Sequence, residues 1–163
     1  MSNIEIGHQA PEFTLPATGG QTINLSDFRG KNVVIYFYPK DSTPGCTTES
    51  QDFRDGYDAF TQEHTVILGI SRDSIKSHER FKEKQALPFE LLSDEDETVC
   101  NLFEVLKMKN MYGKQFMGIE RSTFLIDASG TFREIWRKVK VKGHVEAVLA
   151  AVQTINREDP SSL

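Results

Sequence analysis

The chain has 163 residues, of which 38% are hydrophobic and 26% are charged, as in an ordinary globular protein with a real hydrophobic core. Its net charge of −5 argues against a nucleic-acid-binding surface, which is normally basic. No apolar stretch approaches the roughly 20 residues that a membrane helix needs, and the first residues lack the basic and apolar regions of a secretory signal. We therefore expect a cytoplasmic protein that binds neither nucleic acid nor membrane.

Apolar patterns predict the elements of the first half of the chain. No repeat, low-complexity tract or flexible linker divides the sequence, so one domain is expected over residues 1–163. A small N-terminal hairpin is predicted within residues 13–25, turning at Gly19-Gly20. After it, the patterns indicate a strand buried on both faces at Val33–Tyr38, a helix within Thr47–Gln62, a strand at Val66–Ile70 and a helix from about Ser74 to Gln85.

The second half alternates in the same way. It contains a short strand at Phe89–Leu92, a helix over Asp96–Leu106 with its start capped from Ser93, two strands at Ser122–Ile126 and Thr131–Trp136 joined by a turn, and a last helix from about Gly143 to Ile155. Leu102 and Leu106 are expected on the core face of the helix before the hairpin. This order of elements predicts an α/β fold with a central mixed sheet flanked by helices.

Cys46 is the strongest candidate for chemistry. It lies in the turn between the strand Val33–Tyr38 and the next helix, where open α/β sheets place their active sites. A helix N-terminus favours an anion, so the nucleophilic thiolate is favoured there. Pro44 and Gly45 stiffen the turn and admit a small ligand, and the Thr43 hydroxyl can donate and accept a hydrogen bond. By spacing alone, a buried structural cysteine remains an equal alternative.

The segment around Cys46 closely resembles the peroxiredoxin signature. The matching residues are Thr43-Pro44-Gly45-Cys46-Thr47, preceded by Pro39 and followed by Asp52-Phe53-Arg54-Asp55. Further matches to the bacterioferritin-comigratory-protein branch, also called PrxQ, are Gly7–Phe13, Leu25–Lys31, Gly118–Asp127 and Trp136–His144. They are spread over nearly the whole chain in the family's order.

This resemblance implies a thioredoxin-like fold and the reduction of hydrogen peroxide or alkyl hydroperoxides without metal or organic cofactor. It makes Cys46 the thiol that becomes a sulfenic acid, with Thr43 and Arg121 beside it and Pro39, Pro44 and Gly45 around the peroxide. A guanidinium at Arg121 would favour the thiolate and stabilise the leaving oxygen. The resemblance also suggests a monomer.

The sequence departs from the family at the resolving cysteine. The two positions where this branch carries that thiol are occupied here by Gln51 and Lys82. The other cysteine, Cys100, is expected to be a buried core residue. We therefore expect a one-cysteine mechanism in which thioredoxin, glutaredoxin or glutathione releases Cys46. The alternatives are Cys100 as the resolving thiol, a non-enzymatic peroxide sensor, and a disulfide oxidoreductase, although no Cys-x-x-Cys motif is present.

Other polar and apolar groups have ordinary interpretations. The four histidines show no metal-ligand spacing, and they are expected at the surface or at helix caps. Lys138, Lys140 and Lys142 are expected on a solvated edge. Five side chains ahead of Arg121 are expected to pack as core or loop cover: Met108, Met111, Tyr112, Phe116 and Met117. The alternative is that some of them line the mouth of the peroxide pocket or receive the reducing partner.

Overall fold

The computed structural model describes residues 2–158, and this part of the chain contains nine strands, five α-helices and two short 3-10 helices. The strands are β1 (Thr14–Ala17), β2 (Gln21–Asn24), β3 (Asn32–Phe37), β4 (Thr65–Ser71), β5 (Glu90–Ser93), β6 (Leu106–Met111), β7 (Lys114–Ile119), β8 (Ser122–Ile126) and β9 (Phe132–Trp136). The helices are α1 (Pro44–Asp55), α2 (Tyr57–Gln62), α3 (Ile75–Gln85), α4 (Thr98–Leu102) and α5 (His144–Glu158). No helix within residues 2–158 is long and apolar enough to cross a membrane.

Seven strands form one mixed sheet in the order β2-β1-β5-β4-β3-β8-β9. Strands β3, β4 and β5 are parallel, whereas β8 and β9 run antiparallel to their neighbours. The predicted N-terminal hairpin is present as β1 and β2, and it joins the sheet edge through the pairing of Ala17 with Leu92. The mixed sheet and the flanking helices confirm the predicted thioredoxin-like α/β fold.

Strand β3 separates two core layers. Because side chains alternate along a strand, Ile35 packs into one layer and Tyr36 into the other. The layer of Tyr36 is covered by α1, α2, α3 and α5 and contains Cys46. The layer of Ile35 contains Cys100 of α4. The central sheet therefore lies between the two thiols.

The helix predicted within Thr47–Gln62 is divided at Gly56 into α1 and α2. Helix α1 begins at Pro44, whose fixed φ and missing N–H suit the first helical position. The apolar stripe is real, since Phe53 and Phe60 are fully buried.

The helix predicted over Asp96–Leu106 is wrong in extent. It ends at Leu102, which is 41% exposed, and Leu106 begins strand β6. Glu104 adopts a left-handed φ of 57°, which stops the helix. The cap also differs from the prediction, because the carboxylate of Asp94, and not Ser93, accepts the N–H groups of Val99 and Cys100 in the first turn.

The segment rich in methionine is a two-stranded hairpin, β6–β7, and not core cover. Tyr112 and Gly113 form its two-residue turn, both at positive φ, as tight hairpins require. The side chains predicted to pack are instead exposed by 41% to 98%, namely Phe116, Met117, Met111, Met108 and Tyr112. Only the base of the hairpin, at Gly118 and Ile119, is buried.

Candidate active site

Cys46 is the third residue of α1, directly after the loop that leaves β3. Thr47 donates the first α-helical bond of this helix, to the Thr43 carbonyl at 2.8 Å. The N–H groups of Gly45 and Cys46 precede that bond, so they belong to the unpaired first turn, which favours a negative charge. Cys46 is a free thiol and only 1% exposed. The predicted position at a helix N-terminus is confirmed.

Arg121 reaches the thiol from the other side. It precedes β8, whose first residue, Ser122, pairs with Phe37 at the end of β3. Its Nη2 lies 3.4 Å from Cys46 Sγ. A Cβ atom at position 45 would lie 3.1 Å from the same nitrogen, so Gly45 leaves room for the guanidinium. The structure thus brings together the Arg121 guanidinium and the Cys46 thiol, which the family resemblance predicts to be neighbours.

Glu49 is part of this constellation, although its role was not predicted from the sequence. Its Oε1 accepts a hydrogen bond from Arg121 Nη1 at 2.6 Å. Its Oε2 is buried without a hydrogen-bond partner among residues 2–158. Burial raises the pKa of Glu49 to about 7, and Arg121 opposes that rise. A signal was available, because Glu49 follows Cys46 by three residues and precedes Phe53 by four, which places a carboxylate on the buried stripe of α1.

The electrostatics of Arg121 follow from these contacts. Burial lowers its pKa, but Glu49 and Cys46 beside it outweigh this effect, and the pKa is held above its ordinary value. The guanidinium is therefore a permanent cation. It bridges a carboxyl group and a thiol with two different nitrogens, as its planar fork allows.

The remaining predicted residues precede Cys46 in the loop after β3 and in the first turn of α1. Thr43 is half-buried, and its hydroxyl donates to the Lys40 carbonyl at 2.7 Å. Pro44 and Gly45 are exposed at the start of α1. Pro39 lines an open cleft of about 410 Å³ together with Lys40 and Arg72.

Cys100 lies away from this constellation, in the other core layer. It has no exposed surface, and its N–H donates to Asp94 at 2.7 Å. Burial and the adjacent Asp94 raise the pKa of the Cys100 thiol, so its reactive thiolate form is disfavoured.

Polar contacts occupy the two positions where a resolving cysteine was expected. Gln51 of α1 donates to the side chain of Gln85 at 2.8 Å. Lys82 of α3 pairs with Glu90 at 2.7 Å.

The expectation that all histidines lie at the surface or at caps is wrong for two of them. His78 and His144 are buried, at 0% and 6% exposure. His144 bonds to Thr123 through Nε2 at 2.8 Å. Burial, together with the nearby Arg121, lowers the pKa of His144 to about 4 and keeps it neutral. The three lysines Lys138, Lys140 and Lys142 are exposed, as predicted.

The fold and this site define a thioredoxin-like protein with one buried thiol beside a guanidinium. Residues 6–135 match the model of the AhpC/TSA family. Peroxiredoxin Bcp of Bacillus subtilis is 50% identical over 155 residues, which cover 95% of this chain and 99% of that protein. The chain therefore belongs to the AhpC/TSA family, and the resemblance to peroxiredoxins of the Bcp and PrxQ kind is confirmed.

Solved structures agree with this assignment. Xanthomonas campestris Peroxiredoxin Q is 54% identical and superposes with a TM-score of 0.84, over 87% of this chain and 90% of that chain. A Cys→Ser mutant of Xylella fastidiosa PrxQ is 42% identical and gives a TM-score of 0.89, over 94% of this chain and 98% of that one. The Xanthomonas protein is also represented by two different Cys→Ser mutants, so it has at least two cysteines.

Proposed function

We propose that this protein is a thiol-dependent peroxidase that reduces hydrogen peroxide and alkyl hydroperoxides through a sulfenic acid on Cys46. The observation that carries the proposal is the 3.4 Å contact between Cys46 Sγ and Arg121 Nη2 at the first turn of α1. A related Xanthomonas campestris protein has been studied for alkyl peroxide reduction. A hydroperoxide is small enough to reach a thiol that is only 1% exposed.

In the first half-reaction the Cys46 thiolate attacks the terminal oxygen of the hydroperoxide. An S–O bond forms and the O–O bond breaks, so sulfur is oxidised to the sulfenic acid and the peroxide is reduced. The leaving alkoxide or hydroxide takes a proton from solvent. We propose that Arg121 stabilises the negative charge on that oxygen, as preorganised donors do in other enzymes.

Thr43 complements Arg121 in binding the peroxide. Its hydroxyl proton is directed at the Lys40 carbonyl, so the lone pairs of the oxygen remain available to a ligand. We infer that Thr43 accepts a hydrogen bond from the peroxide O–H while Arg121 donates to the oxygen chain. Pro39, Pro44 and Gly45 shape the space between them.

The second half-reaction is proposed to be of the one-cysteine type. An external thiol attacks the Cys46 sulfenic acid and releases water, and a second thiol frees Cys46 as a disulfide of the reductant leaves. Support comes from Cys100, which lies on the opposite side of the central sheet. A disulfide needs Cα atoms within about 7 Å. An internal Cys46–Cys100 bridge would therefore require α1 or α4 to leave the core.

The reductant is proposed to be thioredoxin, glutaredoxin or glutathione. We further propose that the protein acts as a single-domain monomer in the cytoplasm, where such thiols are kept reduced. Light scattering during size-exclusion chromatography tests the monomer.

Peroxide consumption with each supplied thiol system tests the function. We expect Cys46→Ser to abolish turnover, whereas Cys100→Ser keeps it. Substantial turnover by purified Cys46→Ser would overturn the proposal. Stoichiometric oxidation of Cys46 without turnover in any thiol system would instead identify a peroxide sensor.

A further inference from the structure

A buried polar cluster lies beneath the loop that carries Thr43. Its centre is Asp41, which is 5% exposed, and its partner His78 on α3 has no exposed surface. Among residues 2–158, the hydrogen-bond partners of Asp41 and His78 do not include Cys46. The cluster is therefore a separate feature that needs its own explanation.

The Asp41 carboxylate has three hydrogen-bond partners. Oδ1 accepts from the Tyr38 hydroxyl at 2.6 Å, and Oδ2 accepts from the Ser77 hydroxyl at 2.8 Å. His78 Nδ1 lies 2.8 Å from the same Oδ2. In addition, the backbone N–H of Asp41 donates to Asp73 Oδ2 at 2.9 Å. One residue of the loop is thus tied to the end of β3, to α3 and to the segment after β4.

Both ring nitrogens of His78 have polar partners. Its Nε2 lies 2.9 Å from the Leu92 carbonyl oxygen, which can only accept, so Nε2 carries a hydrogen. Its Nδ1 lies 2.8 Å from Asp41 Oδ2 and 3.4 Å from the Tyr38 hydroxyl. His78 therefore joins the Asp41 side chain to the backbone of β5.

Asp73 adds a second carboxylate to the cluster, and burial raises the pKa of Tyr38, which keeps its hydroxyl a neutral donor to Asp41. The ligand atoms of Asp41, Asp73 and His78 lie within 4.8 Å of one another. Hydrogen bonds to Tyr38, Ser77 and the Leu92 carbonyl already engage Asp41 and His78, so they account for the cluster.

We infer that Asp41, held by its hydrogen bonds with Tyr38, Ser77 and His78, is a positioning residue for the reaction at Cys46. The loop between them needs such support, because Ser42 has a left-handed φ of 63°, which is costly for a residue other than glycine. The Thr43 hydroxyl is oriented by the carbonyl of Lys40, the residue directly before Asp41. Fixing Asp41 therefore fixes the lone pairs that Thr43 offers to the peroxide. This inference rests on the proposed peroxidase function.

Nitrogen NMR of the histidine rings tests the contact between His78 and Asp41 without reference to activity. We expect Asp41→Ala to shift the Nδ1 resonance of His78, because its partner at 2.8 Å is lost. The resonances of His144, which bonds to Thr123, should stay unchanged and serve as an internal control. A His78 Nδ1 resonance that does not move in Asp41→Ala would overturn the inference.

Kinetics test the positioning role. In Asp41→Ala we expect the rate of Cys46 oxidation by hydrogen peroxide to fall about 10- to 100-fold. Alkylation of Cys46 by iodoacetamide, which needs no oriented peroxide, should change by less than about threefold. Equal losses in both reactions, or no loss in either, would overturn the inference. If Asp41→Ala does not fold, Ser77→Ala removes one donor to the carboxylate and should show the same selective loss in smaller measure.

Failure of this inference differs from failure of the proposed function. A wild-type Cys46 that does not react with peroxide refutes the peroxidase itself. A reactive wild-type protein with an equally reactive Asp41→Ala variant refutes only the positioning role.

Discussion

Removing the Arg121 guanidinium should slow the oxidation of Cys46 strongly. In Arg121→Met the donor that now lies 3.4 Å from the sulfur is lost, and so is the charge that stabilises the leaving oxygen. Loss of one preorganised donor typically lowers a rate by about 10²- to 10³-fold, or about 2.7–4 kcal/mol in the barrier. Arg121→Lys keeps the charge but cannot bridge Glu49 and Cys46, so we expect it to recover only part of this loss.

The rate is measured by rapid mixing of reduced protein with hydrogen peroxide, quenching with an alkylating agent and weighing the products. Arg133→Met is the matched control, because Arg133 forms surface ion pairs with Asp127 and Glu158 away from the thiol. That control should stay within about twofold of the wild type. An Arg121→Met variant that reacts as fast as the control would refute the role assigned to the guanidinium.

Three further predictions concern stability and fit. Folding raises the pKa of Glu49 from 4.5 to about 7. Between these two pH values the folded protein binds more protons than the unfolded chain, so the stability of the wild type falls as the pH rises. The free energy of unfolding of Glu49→Gln relative to the wild type should therefore rise by about 3 kcal/mol between pH 4.5 and 7, as measured by denaturant unfolding. A difference between the two proteins that does not change with pH would contradict the raised pKa of Glu49. His144 has the opposite sign: its pKa is lowered from 6.5 to about 4, so about 3 kcal/mol of stability is lost as pH falls between these values. His144→Gln should remove that loss. A variant whose stability still falls as much as that of the wild type between pH 6.5 and 4 would contradict the lowered pKa of His144. Gly45→Ala places a Cβ 3.1 Å from Arg121 Nη2. We expect it to slow the oxidation of Cys46 by peroxide about three- to tenfold without changing the melting temperature. An unchanged rate would mean that the exact position of the guanidinium does not matter for this reaction.

The layers of the fold could be predicted because the strands and long helices carry regular apolar patterns. The buried run at β3 and the stripe of Phe53 and Phe60 on α1 and α2 are both recognisable in the sequence. The extent of α4 and the β6–β7 hairpin could not be read this way. Leu106 fits a helical stripe as well as a strand, and the left-handed backbone at Glu104 that separates α4 from β6 has no residue signature.

The residues of the candidate site that belong to the family motif were predicted, whereas the residues that only their burial identifies were missed. Cys46, Thr43 and Arg121 were located from the motif, and the structure brings Cys46 and Arg121 into contact. Glu49 and His78 were missed, because polar residues on a helix are assigned to solvent by default. Only the three-dimensional packing shows that both are fully buried and take part in hydrogen-bond networks.

The central claim is that peroxide oxidises Cys46 and that Cys100 does not resolve it. Intact-mass measurement of the reduced protein after one equivalent of hydrogen peroxide tests this most directly. We predict a gain of one oxygen atom in both the wild type and Cys100→Ser, and no gain in Cys46→Ser. A loss of two hydrogens in the wild type that disappears in Cys100→Ser would contradict the one-cysteine mechanism.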